Sequence, residues 1–155
     1  MNVWRSSLLI AGVLLAVAGA PARAQGRSHI GPHVGYNFDV DRALLGAQLL
    51  LPVGRRVEFY PSFDYYFVDT GSLFGINADL KFRFPTGEPS VFYFGGGVNW
   101  LRASGGGTSN TDTGWDLMFG LESRWGVTHP YFEGRVITHS NSSFQIAAGL
   151  NITIF

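Results

Sequence analysis

From Phe74 to Phe84 the chain alternates without a miss: Phe74, Ile76, Ala78, Leu80, Phe82 and Phe84 are apolar, while Gly75, Asn77, Asp79, Lys81 and Arg83 are small, polar or charged. A period of two is that of a strand with two unlike faces. Such a strand is stable only where one face meets an apolar medium and the other a polar one. Because the pattern recurs along most of the chain, the fold is a sheet, and the question becomes which face meets water.

Eight segments carry the signature. In the first, Ile30, Pro32, Val34, Tyr36 and Phe38 alternate with His29, Gly31, His33, Gly35 and Asn37. In the second, Leu45, Ala47, Leu49 and Leu51 alternate with Leu44, Gly46 and Gln48; in the third, Val57, Phe59, Pro61, Phe63, Tyr65 and Phe67 alternate with Glu58, Tyr60, Ser62, Asp64 and Tyr66. The fourth is the stretch above, and the fifth runs through Phe92, Phe94, Gly96, Val98 and Trp100. The sixth sets Trp115, Leu117, Phe119, Leu121 and Trp125 against Asp116, Glu122 and Arg124, and the seventh sets Phe132, Gly134 and Val136 against Tyr131, Glu133 and Arg135. The eighth sets Phe144, Ile146, Ala148, Leu150, Ile152 and Ile154 against Gln145, Gly149, Asn151 and Thr153. Turn chemistry separates them at Pro52 to Arg55, Asp69 to Ser72, Pro85 to Glu88 and Gly126 to His129. The Gly/Ser/Thr/Asn tract from Ser104 to Thr113 reads as the longest connection, and a mobile one.

The N-terminus has the composition of a secretory signal: Arg5 as positive region, an apolar stretch from Leu8 to Ala18, and Ala22-Arg23-Ala24 as small-x-small cleavage site. That stretch is shorter than the roughly 18 residues a spanning helix needs. Residues 1–24 are therefore expected to be a signal peptide, and 25–155 one domain. With Arg5 and Arg23 removed, 9 basic residues face 11 acidic ones, a balance with no electrostatic case for nucleic acid. Cysteine is absent, so disulfides do not hold this exported chain.

Aromatic placement speaks to which face is wet. If the mature chain starts on the periplasmic side, Phe38, Phe67, Phe74, Trp100 and Trp115 fall at the outer ends of their strands, and Phe59, Phe84, Phe92, Trp125 and Phe132 at the inner ends. Between them the same face is mostly aliphatic, which predicts two aromatic girdles around an apolar belt facing lipid. The opposite face carries complementary charge. A third-fourth hairpin centred on Thr70–Gly71 sets Glu58 opposite Arg83; a sixth-seventh hairpin centred on Thr128–His129 sets Arg124 opposite Glu133 and Glu122 opposite Arg135. A narrow lumen would require such pairing, because an unpaired enclosed charge is costly.

On this strand pattern, and on a last strand ending in Phe155, the region Gln25 to Phe155 resembles the small eight-stranded outer-membrane β-barrels of the OmpA/OmpX type. The resemblance implies an all-β fold, an eight-stranded antiparallel up-and-down transmembrane β-barrel in the cell outer membrane. It implies a structural or surface-interaction role without catalytic site, cofactor or metal. Its implied partners are outer-membrane lipid and lipopolysaccharide, and the barrel-assembly machinery reading the C-terminal strand; the implied state is a monomer. The terminal assembly signal fits Gly149, Ile152 and Ile154 with a shift of one residue, since Thr153 stands where an apolar residue is usual.

Two rival readings have different chemistry. A soluble periplasmic barrel would turn the aromatic face inward to hold an apolar ligand. A rim enzyme resembling the lipid A deacylases would need a His-x-Ser pair; here His139 and Ser140 are adjacent, so in extended chain they point to opposite faces. His29 and His33 share a face but lie about 13 Å apart at roughly 3.3 Å per residue, too far for one zinc ion. Gly95-Gly96-Gly97 is followed by more strand and not by a helix N-terminus, so it is no phosphate cradle. The matches to the glycosylation pattern at Asn141 and Asn151 are read as chance.

Overall fold

Alternation makes the strands, and glycine-bearing turns decide where they pair. A computed structural model describes residues 26–87, 89–139 and 142–154. It contains β1 (His29–Asn37), β2 (Arg42–Pro52), β3 (Val57–Tyr66), β4 (Ser72–Gly87), β5 (Ser90–Gly105), β6 (Thr108–Ser123), β7 (Thr128–Thr138) and β8 (Ser142–Thr153). Each pairs antiparallel with its sequence neighbour, and β1 pairs with β8, so the sheet closes into an eight-stranded up-and-down barrel. Closure leaves no sheet edge, which is what permits strands to cross a medium without hydrogen-bonding partners. The signal segment 1–24, Ser140, Asn141 and Phe155 lie outside the described residues.

The two faces separate as the alternation requires. Ile30, Leu45, Ile76, Leu80, Leu121 and Leu150 point outward and are exposed, while His33, Gln48, Asp64, Asn77, Glu122 and Arg135 point inward and are buried. Apolar side chains therefore cover the outside and polar ones fill the bore, the reverse of a soluble barrel. The reading in which the aromatic face encloses a ligand is not the arrangement the chain adopts.

Two hairpin registers differ from those expected. In β3–β4, Glu58 opposes Lys81 and Arg83 lies two residues further along. In β6–β7 the tight turn is Gly126–Val127, closed by a Trp125–Thr128 bridge, and Gly126 takes φ +63°. That left-handed conformation costs glycine nothing, so the turn centres two residues before the expected one. Glu122 then opposes Tyr131, Arg135 opposes Met118, and Glu133 opposes Gly120. Arg124 falls past the end of β6 and is exposed, not paired inside with Glu133.

The Ser104–Thr113 tract is also mostly strand. The β5–β6 ladder runs on to Gly105–Thr108, closed by Gly106 and Gly107 at φ +59° and +82°. On the β4 side pairing keeps pace as far as Ser72–Ser104, but on the β7 side it stops at Trp115–Thr138, so the β6 edge of the hairpin projects beyond its neighbour.

Candidate functional site

The site is the filled lumen together with the wall around it. Near the middle of the bore, Arg135 of β7 gathers carboxylates from three strands: its Nη1 donates to Asp79 Oδ2 (2.9 Å) and Asp116 Oδ2 (2.8 Å), and its Nη2 to Glu133 Oε1 (3.1 Å). One guanidinium with several donors in a fixed fork can serve three acceptors where an ammonium would serve them poorly. Tyr93 donates a further bond to Glu133 at 3.0 Å.

Lys81 sits beside this cluster, 1% exposed, with its Nζ 3.7 Å from the Tyr93 ring centre and 5.0 Å from that of Tyr60. Its nearest carboxylate oxygen, on Glu122, is 3.8 Å away. The ammonium is thus held chiefly between aromatic faces, a cation–π arrangement that gains from desolvation. Leu50 and Met118 pack with Tyr60, Tyr93 and Tyr131 to complete the plug. Tyr93 lies against Gly120, where an added Cβ would meet the ring.

Toward the turn end, Arg83 Nη1 donates to Glu58 and Nη2 to Glu122, both at 2.7 Å. Glu122 also anchors a relay across the bore. Its Oε2 accepts from Asn151 Nδ2 (2.8 Å), the Asn151 carbonyl accepts from Gln48 Nε2 (2.8 Å), and the Gln48 carbonyl faces His33 Nδ1. On its other side His33 Nε2 faces Asp64 Oδ1 at 2.6 Å. Carboxylates end the relay on both sides and only accept, so each amide orientation follows from its neighbour. Both His33 nitrogens then face oxygens, the Gln48 carbonyl on one side and the Asp64 carboxyl on the other. Asn77 (3.1 Å) and Gln145 (3.4 Å) complete the shell around Asp64.

With these groups in place, the cavity between the Arg135 and His33 clusters is about 10 Å³, room for about one water. His29 does not join His33; it packs against His129, with ring centres 4.8 Å apart and the planes tilted by 48°. His139 is described, but Ser140 is not, so the expected separation of that pair lies outside the described residues.

All nine girdle candidates lie on the outer wall. Phe38, Phe67, Phe84, Phe92, Trp100, Trp115, Trp125 and Phe132 are exposed, and Phe74 is half-buried against Phe63. Lys81, Asp79, Asp116 and the His33 relay were legible only as members of the polar face. Some of their partners lie two or more strands away, as Asp79 to Arg135 and His33 to Asp64 do, and others sit diagonally on the next strand, as Asp116 to Arg135 and His33 to Gln48 do, so directly opposed cross-strand pairing does not reveal them.

No protein-family model matches this chain, and no curated protein matches it by sequence. Among solved structures it is similar to the N-terminal β-barrel domain of Pseudomonas aeruginosa OprF, at 14% identity and TM-score 0.73, over 84% of this chain and 98% of that one. It is similar to Ail, the attachment invasion locus protein of Yersinia pestis, at 13% identity and TM-score 0.62, over 83% and 99%. It is also similar to Neisserial surface protein A, at 14% identity and TM-score 0.55, over 82% and 96%. A de novo designed transmembrane β-barrel matches at 14% identity and TM-score 0.66, over 83% and 96%. A likeness shared by natural and designed barrels at such identity is one of fold.

Proposed function

From a closed eight-stranded barrel of the OmpA/OmpX type, we propose that the chain resides in the outer membrane as a structural and surface-interaction protein without catalytic activity. The observation that carries this reading is the plugged bore: charged and aromatic side chains leave about 10 Å³ between the central clusters, so the middle of the lumen offers neither a diffusion path nor room for a substrate. Eight strands make a bore that side chains just fill.

In this reading the turns after β2, β4 and β6 face the periplasm, and the β5–β6 hairpin projects outward as the contact element. Outer-membrane lipid and lipopolysaccharide surround the wall, the assembly machinery engages β8, and the barrel is a monomer. Ail has been crystallised with the heparin analogue sucrose octasulfate. In this chain the end bearing the β5–β6 hairpin carries Asp39, Asp41, Asp69 and Asp112 against Arg42 and Arg102, so at that end a polyanionic glycan is a poor match and a neutral or cationic partner a better one.

The test is fractionation. The folded protein should sediment with outer membranes and migrate differently on gels before and after boiling. Recovery of the bulk in an osmotic-shock supernatant would overturn the reading. In planar bilayers pure protein should give no steady conductance, and stable large steps would contradict the plugged bore.

A further inference from the structure

The described residues include nine lysines and arginines, and five of them, Arg27, Arg55, Arg56, Arg83 and Arg124, line one cavity of about 450 Å³ at the turn end of the barrel. Among the described lining residues Glu58 is the only carboxylate, and Arg83 holds it at 2.7 Å. Among the described residues, Arg27, Arg55, Arg56 and Arg124 form no ion pair. The opposite end of the barrel, with its four aspartates and two arginines, has the other sign. This segregation is not what scattered solubilising charge produces, and it leaves one mouth strongly positive.

The floor of the same cavity holds buried polar atoms without protein partners. Arg83 spends both terminal nitrogens on Glu58 and Glu122, and its Nε–H has no acceptor. His29, 5% exposed, has an unpartnered Nδ1 in the same wall, and Glu58 Oε2 is an unpartnered acceptor beside them. Buried polar groups are normally satisfied; these three atoms are themselves shut off from the open space, so what the cavity presents to a ligand is its arginine rim. Guanidinium forks suit phosphate oxygens in particular. A volume of about 450 Å³ lies within the range of small-ligand sites, roughly 300–1,000 Å³, and exceeds what a simple inorganic ion fills.

We propose that this mouth is a binding site for a phosphorylated anion of small-molecule size, seated on the exposed arginines of the β2–β3 and β6–β7 turns, Arg55, Arg56 and Arg124. The site does not depend on the surface role argued above. Its occupant is either a soluble phosphate compound or the headgroup of an anionic phospholipid, since both present the same oxygens.

The experiment uses the full refolded chain, labelled with nitrogen-15, with pyrophosphate as probe and ionic strength held constant with sodium chloride. The amides of Gly26, Gly54 and Gly126, which line the cavity, should shift saturably. The double substitution Arg55→Gln/Arg56→Gln, on an exposed turn, should keep a dispersed spectrum and weaken binding about tenfold or more, because two charge-assisted contacts are lost. Arg102→Gln at the opposite end should change affinity less than about twofold, as expected for a screened distant charge. Repeating the spectra in nanodiscs identifies the source. Shifts at the three glycines on replacing phosphatidylcholine with phosphatidylglycerol assign a lipid headgroup; shifts with pyrophosphate in both discs assign a soluble phosphate. Absence of shifts in every arm, shifts that never saturate, or equal losses in the Arg102 and Arg55/Arg56 variants would overturn the site.

Discussion

The lumen and the outer wall are made by the same eight strands, residue by alternate residue, yet they are held by different physics. In the lumen the guanidinium groups and His33 are committed to named partners: Arg135 to three carboxylates, Arg83 to two, His33 to Asp64 and Gln48. On the wall, side chains such as Leu80, Leu117 and Leu121 are exposed and have no such partners, and even the Phe82, Phe94 and Phe84 stack is an apolar contact without donors or acceptors. The lumen is therefore specific and intolerant, whereas the wall needs only apolar character and volume. The difference teaches where this barrel stores its uniqueness: in polar contacts that cross the bore.

The hardest test of that contrast removes the lumen's most connected group. Arg135→Met should leave Asp79, Asp116 and Glu133 enclosed without their cation and destabilise the refolded barrel by about 3–5 kcal/mol in urea unfolding, or prevent refolding. Arg102→Met, on the projecting hairpin, should change stability by less than about 0.5 kcal/mol. Equal effects of the two would mean that the bore is solvated and its ion pairs are worth little.

A smaller effect is expected from the wall when its one rule is broken. Leu80 points outward, 46% exposed, midway between Phe74 and Phe84. Leu80→Arg should cost about 2–4 kcal/mol in a bilayer if that position faces the midplane, while Leu80→Ile should cost less than about 1 kcal/mol. In a barrel whose wall met water, the arginine would be nearly neutral.

Next comes the relay. Gly46 lies under the His33 ring, and an added Cβ would collide with that ring and with the Phe63 carbonyl. Gly46→Ala should displace the imidazole from Asp64 and cost about 1–3 kcal/mol in urea unfolding through buried groups left unpaired. Unchanged stability would break the relay as drawn.

The mildest changes concern the wall tryptophans. Trp115 and Trp125 are 72% and 69% exposed, and replacing either by Phe should alter stability by less than about 1 kcal/mol. Their fluorescence should nonetheless be strongly quenched by brominated lipids, more by bromines near the headgroups than near the chain ends. Indifference to bromination would remove the lipid from the wall.

The alternation through Phe74–Phe84 and its seven counterparts carried the strands, their two faces and the barrel class, because period-two patterning is a local property that each strand writes for itself. The polar interior was legible too, as a face. Registers were less so: Gly126 and the Gly106–Gly107 pair were visible as turn residues, but which two residues form the turn depends on the backbone conformation glycine permits, and a shift of two keeps every side chain on its face. That is why Arg124 was expected inside and lies at the rim.

The residues in their order thus specify strands with one polar and one apolar side, because period two is written within each segment. Who meets whom across the bore comes only from the folded barrel. Arg135 with Asp79 and Asp116, Lys81 among Tyr60 and Tyr93, His33 with Asp64, and the arginines gathered at one mouth all join residues from different strands. Their proximity follows from the tilt, register and closure of the barrel as a whole, and these are set by the sum of all eight pairings rather than by any one segment.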